Sequence, residues 1–177
     1  MKKITISLSI SLVFTLCSAQ ARLTPGELKG KLGTFIIKKL DEPFDTTKHI
    51  VVYSKSNKYN NGVPYSKAEK DPQFLPMNPK KDTHVNNEAI NQIVYSVLNK
   101  KLDALKRNKE QMNLIFDFEP DGKLTDISFG LNENTLITLQ DIEEIDRQLR
   151  ASIKATFTGK QYLRYIAISY YVPSITF

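Results

Sequence analysis

The chain has 177 residues, 25 Lys/Arg against 19 Asp/Glu, a formal charge of +6 and one cysteine, Cys17. That length suits one domain with a real core. A lone cysteine excludes an internal disulfide framework and a multi-thiolate metal site, and without a dense Arg/Lys stripe the excess positive charge does not point to nucleic acid.

The first nineteen residues read as a targeting segment. Lys2 and Lys3 form a positive start, Ile4 to Leu16 an uncharged apolar run, and Cys17-Ser18-Ala19 a small-residue cleavage site before Gln20. As a helix the apolar run rises only about 20 Å, short of the ~30 Å needed to span a bilayer. The expectation is a signal peptide at 1–19, cleaved to leave one periplasmic or extracellular domain at 20–177. Lipidation at Cys17 is the alternative, against which stands Leu16, where that processing favours a small residue. After cleavage the formal charge is +4, no cysteine remains for thiol chemistry, and no later segment is long and apolar enough to be a transmembrane helix.

Residues 20–85 read as an irregular β/loop region. Pro25-Gly26 marks a turn or helix start ahead of Glu27 to Leu32. Thr34 to Lys38 and His49 to Ser54 cluster β-branched and aromatic residues, as strands do. Residues 55–84 are polar and interrupted by Asn60-Asn61-Gly62, Pro64, Pro72, Pro76 and Pro79, so no regular element is expected there. Loops of that length tend to be functional or mobile. Residues 22–82 carry twelve Lys/Arg against seven Asp/Glu, a basic half that suits a solvated surface or an anionic partner.

Residues 86–177 read as an α+β unit. Asn86 caps a helix whose apolar stripe runs Ile90, Ile93, Val94, Val97, Leu98, Leu102 and Leu105, with Val85 and Ile90 as its staple. Met112, Leu114, Phe116 and Phe118 alternate along a strand, and Glu119 to Lys123 is a turn. Ile127, Phe129 and Leu131 face the core on the return strand, opposite Asp126 and Ser128. A capping box at Thr138 and Asp141 opens a second helix with the stripe Leu139, Ile142, Ile145, Leu149 and Ile153. Glu143, Glu144, Arg147 and Arg150 are assigned to its wet face. Tyr162 to Val172 reads as a long closing strand. The expected architecture is helix–strand–strand–helix–strand, a three-stranded antiparallel sheet with both helices on one face.

This order resembles the C-terminal domain of TonB and its relatives. The resemblance rests on the strand Leu114-Ile115-Phe116-Asp117-Phe118, the turn Asp121-Gly122-Lys123, the segment Phe157-Thr158-Gly159-Lys160-Gln161 and the ending Val172-Pro173-Ser174-Ile175-Thr176-Phe177. It covers about the last 90 residues. Thr158 stands where that family often has proline, and no Pro-rich linker follows an anchor, so the resemblance implies the fold and not energy transduction. The chain is also similar to small exported Bacteroides-type proteins of uncharacterised function.

Chemistry is sparse. His49 and His84 lack metal-ligand spacing, so no metal site or cofactor is expected. No nucleophile elbow or phosphate loop occurs, and no residue is assigned a catalytic role. Asp117, Glu119, Asp121 and Asp126 gather at the hairpin and are read as a solvated turn, with Asp117 and Asp126 on the exposed face. The binding candidates are Tyr162, Arg164 and Tyr170, which share one parity of the closing strand, because Tyr and Arg offer large contact area with a polar handle. The expected function is therefore an exported non-enzymatic binding protein using a sheet edge or this Tyr/Arg strand. Its partners would be a protein or peptide strand, or a second copy of itself. The alternatives are an envelope-associated structural protein that meets an anionic polymer through residues 22–82, and a hydrolase whose site has no sequence signature.

Overall fold

The computed structural model describes residues 23–40, 48–59 and 77–177. The targeting segment, Cys17 and residues 60–76 of the long loop lie outside them.

Three strands come from the region expected to be irregular: β1 (Gly26–Lys29), β2 (Thr34–Leu40) and β3 (His49–Ser54). The strands expected around 34–38 and 49–54 are present, and the segment after Gly26 is a strand rather than a helix start. Next come a short helix α1 (Pro79–Asp82), strand β4 (Thr83–Val85), and helices α2 (Asn87–Val97) and α3 (Leu102–Arg107). The expected single helix is thus broken near Leu98, where a 3₁₀ turn, Asn99–Lys101, intervenes. The hairpin is β5 (Gln111–Phe118) and β6 (Leu124–Asn132). Helix α4 (Leu139–Ser152), β7 (Ala155–Phe157), β8 (Ile168–Tyr171) and β9 (Ile175–Thr176) complete the chain.

Both helix starts follow their sequence signals. The Asn86 side chain accepts from Ala89 N–H, and Thr138 with Asp141 forms a reciprocal capping box. Each arrangement satisfies backbone donors that a helix N-terminus leaves orphaned.

The main sheet is antiparallel, ordered β1-β2-β3-β6-β5-β8, with β9 also on β5; β4 and β7 form a separate pair. The expected three-stranded unit is therefore one half of a larger sheet. Residue pairing builds continuous apolar rows across the strands. Ile37, Val52, Phe129 and Leu114 form one row. Ile50, Leu131, Met112 and Ile175 form the next. Phe116 lies between Ile127 and Tyr170 in a third. These side chains join Ile90, Val94 and Leu98 of α2 and Ile142, Ile145 and Leu149 of α4 in one buried cluster. Phe116, Ile127, Ile145 and Leu149 share it, as expected, and both helices cover the same face. The architecture is α+β.

The closing strand is shorter than its alternation suggests. Gly159 takes φ +75°, a left-handed turn suited to glycine, and Gln161–Arg164 is a 3₁₀ turn. The strand begins only at Ile168.

Candidate functional site: a groove along the sheet edge

The helix-free face of the sheet carries the row Ile36, Tyr53, Ser128, Ile115 and Tyr171. Beside it Leu40, His49, Val51, Asn113 and Gly130 line a shallow hollow of about 300 Å³. Toward the β5–β6 turn the same face is covered, and two carboxylates lie beneath the cover.

Asp117 and Asp126 are direct cross-strand partners. Their relative exposures are 4% and 1%, which overturns their assignment to a wet face. Pairing of β3 with β6 stops at Ser128, so residues 57–59 occupy the space beyond. Asn57 Nδ2 donates to the Ile127 carbonyl at 3.0 Å. Arg150 of α4 donates to Asn57 Oδ1 at 3.1 Å and to the Thr125 carbonyl. Backbone acceptors past the end of β3 thus gain partners, as buried carbonyls must. Tyr59 N–H donates to Asp126 Oδ2 at 2.5 Å, and Ser169 Oγ–H to Asp117 Oδ1 at 2.6 Å. Tyr59 Oη donates to Glu119 Oε1 at 2.9 Å, and Lys58 pairs with the same oxygen at 2.8 Å.

Electrostatics follow this burial. Desolvation pushes the Asp117 carboxyl up; the Ser169 hydrogen bond opposes the rise and the Asp126 charge adds to it. Hydrogen bonds from Lys58 and then Tyr59 hold Glu119 below the usual carboxylate range, while Lys58 is pushed up to about 12. A carboxyl with a raised native pKa binds its proton more tightly folded than unfolded. Its contribution to stability is present at low pH and disappears as pH rises through the native value. Asp117→Asn is therefore expected to be more stable than the parent at pH 7. The difference should shrink as pH falls toward 3.8, the ordinary carboxylate value, which parallel urea titrations would measure.

Two more acids are structural. Glu143 is 4% exposed and accepts from Leu32 N–H at 2.7 Å, so it does not face solvent as expected. Glu110, 3% exposed, accepts from Thr135 Oγ1 and Leu136 N–H. His84 bonds Thr158 Oγ1 at 2.6 Å, while His49 lies in the hollow on the helix-free face. Among the described residues no cluster of three or more His, Cys, Asp or Glu could hold a metal ion.

The three binding candidates are not brought together. Tyr162 sits in the 3₁₀ turn and stacks on Phe157 at 5.0 Å between ring centres. Arg164 is exposed at the end of that turn. Tyr170 is on β8 but on its helix-covered side, its hydroxyl engaged with Asn87 at 3.0 and 3.2 Å. Tyr162, Arg164 and Tyr170 do not share a strand face, because only the last part of the segment is a strand.

The residues that do meet at the edge are Ser169, Tyr171, Tyr165, Met77 and Lys80. Val172 N–H donates to the Leu114 carbonyl at 3.0 Å, so Val172 and Leu114 are a hydrogen-bonded pair. Directly opposed residues in an antiparallel ladder alternate between bonded and non-bonded pairs. Tyr170 therefore bonds to β5, and the backbone N–H and C=O of Ser169 and Tyr171 point outward. No strand among the described residues pairs with that side. The segment Met77–Asp82 flanks it, anchored where Met77 N–H donates to Tyr165 Oη at 3.1 Å. Between this segment and β8 runs a two-part groove. One part, about 350 Å³, is lined by Met77, Tyr165, Ala167 and Ile168; the other, about 580 Å³, by Tyr170 and Pro173. Lys80, Ser169 and Tyr171 line both. Tyr171 is 72% exposed, which is unusual for so large a side chain. Of the expected aromatic residues only Tyr170 lies on β8, and Tyr171, next to it, points to the opposite face. Only the register, which needs coordinates, separates Tyr170 from Tyr171.

These features define an α+β domain with helices on one sheet face and a groove along an edge that no strand among the described residues pairs with. Among solved structures it is similar to a DUF5043 family protein from Bacteroides uniformis, with a TM-score of 0.63, 13% sequence identity, and coverage of 84% of this chain and 85% of that one. At that identity the likeness speaks to the fold alone. No protein-family model matches, and no curated protein matches. The TonB-like reading gains no support: the three strands expected to stand alone are continuous with β1, β2 and β3.

Proposed function

We propose that this chain is an exported, non-enzymatic binding module that takes an extended polypeptide segment along the outer side of β8. The observation that carries this reading is the outward pair of Ser169 and Tyr171. Each presents a backbone donor and acceptor to a groove walled by apolar and aromatic side chains. Main-chain bonding to a sheet edge supplies affinity, and side-chain pockets supply selectivity. The anionic-polymer reading is less favoured. Three lysines of its basic half, Lys39, Lys55 and Lys58, already pair with Glu133, Glu27 and Glu119.

The reading is tested by amide hydrogen exchange with and without a short peptide of alternating polar and valine residues. Exchange at Ser169 and Tyr171 is expected to slow. Protection confined to other elements would overturn the reading. Tyr171→Pro removes the outward N–H without touching a bond to β5, and proline is tolerated on edge strands. Binding is expected to weaken about tenfold, the scale of one lost hydrogen bond, with the thermal transition retained.

A further inference from the structure

We infer that the segment taken by the β8 groove is acidic, with a carboxylate reaching Lys80; this rests on the edge-pairing reading above. Lys80 lines both parts of the groove and is exposed. Among the described residues it makes no ion pair, unlike Lys39, Lys55, Lys58 and Lys101, each of which has a carboxylate within 2.9 Å. Among the described residues no Asp or Glu lines either part of the groove. The nearby Asp117 is buried and already accepts from Ser169 Oγ. Among the described residues the groove therefore offers one cation, apolar walls and no anion, and the +4 charge left after removal of residues 1–19 adds to the attraction for an anionic segment.

Geometry narrows the pattern. Residues opposite Ser169 and Tyr171 on an added strand would be two apart, and their side chains would emerge on the same face. The Tyr171 side chain lies on that face, and Lys80 lines the groove beside it. An alternation of acidic and apolar residues would place carboxylates on one side of the added strand and aliphatic groups on the other. Either side can then meet its complement in a single register. A second copy of this chain is a poor occupant, because it would bring its own Lys80 to the same seam, and like charges held together oppose pairing.

The test uses the full exported chain and three dye-labelled peptides in which valine alternates with glutamate, glutamine or lysine, read by fluorescence anisotropy. The glutamate peptide is expected to bind about fivefold more tightly than the glutamine peptide, the scale of one partly exposed ion pair. The lysine peptide should be weakest, and the spread should narrow as salt rises. Lys80→Glu is expected to reverse the order, and Lys80→Met to equalise glutamate and glutamine. Lys80 is exposed and makes no ion pair among the described residues, so neither change breaks a salt bridge of the fold. Equal binding of the glutamate and glutamine peptides by the parent chain would overturn the acidic preference and leave edge pairing standing. A glutamate preference that persisted in Lys80→Met would overturn the assignment to Lys80. Failure of all three peptides to bind would overturn edge pairing, and this inference with it.

Discussion

Phe129→Ala is expected to lower the unfolding free energy by about 3–5 kcal/mol while leaving one cooperative transition. Phe129 is fully buried and lies on β6, the strand that joins the two halves of the sheet. Its neighbours in the ladder are Val52 of β3 and Leu114 of β5. Truncation leaves a cavity at the seam, and the loss exceeds the transfer energy of the missing atoms because the surroundings relax only partly. If residues 26–54 were an accessory layer on an independent C-terminal unit, a defect at the seam would split the transition. Urea denaturation followed in parallel by near-UV and far-UV circular dichroism distinguishes the cases. Coincident curves displaced to lower urea fit one domain. Separate midpoints would mean that the N-terminal strands melt alone.

Gly122→Ala carries the second large effect, an expected loss of about 2–4 kcal/mol. Two independent constraints act at this position. Gly122 takes φ +81° in the β5–β6 turn, a conformation that disfavours any side chain. A Cβ placed there would also lie 2.1 Å from the Ala155 carbonyl oxygen, where Ala155 N–H donates to the Gly122 carbonyl at 2.9 Å. The turn is thus docked against the start of β7, just beyond the end of α4. Gly122→Asn separates the two causes, since asparagine tolerates positive φ better than alanine but brings the same Cβ. If the close approach dominates, both variants lose similar stability in thermal denaturation. If asparagine restores the parent midpoint, backbone conformation alone is responsible.

The turn illustrates how far local signals reach. Asp121-Gly122 marked the reversal, and Asp121 Oδ1 does accept from Lys123 N–H. Nothing local announced that β7 would press against it. The caps at Asn86 and Thr138 were legible because a cap and its partner lie within one helical turn. The stripes of α2 and α4 were legible because burial on one side imposes a 3.6-residue period. The same reasoning overextended the closing strand. Tyr162 to Val172 satisfies a two-residue alternation, yet Gly159 and the 3₁₀ turn delay the strand to Ile168. Alternation records what could face two ways, not whether a partner strand is present.

The acid pair shows a different limit. Alternation placed Asp117 and Asp126 opposite the apolar face, and that parity is correct. Their exposure did not follow from parity, because Asn57 and Tyr59 return to cover that end of the sheet through hydrogen bonds that span 70 and 67 residues. Glu143 failed for the same reason, being claimed by the backbone of Leu32 across a separation of 111 residues.

Local order along the chain was enough to establish the α+β class, the two capped helices, the β5–β6 hairpin and the inward set of Phe116, Ile127, Ile145 and Leu149. Each depends on periodicities or hydrogen bonds that close within a few residues. Only the tertiary structure decided that β1, β2 and β3 extend the same sheet, that two aspartates are buried, and that the edge presents Ser169 and Tyr171 rather than Tyr162 and Arg164. Those outcomes depend on strand partners and register, which are set by packing between segments far apart in sequence.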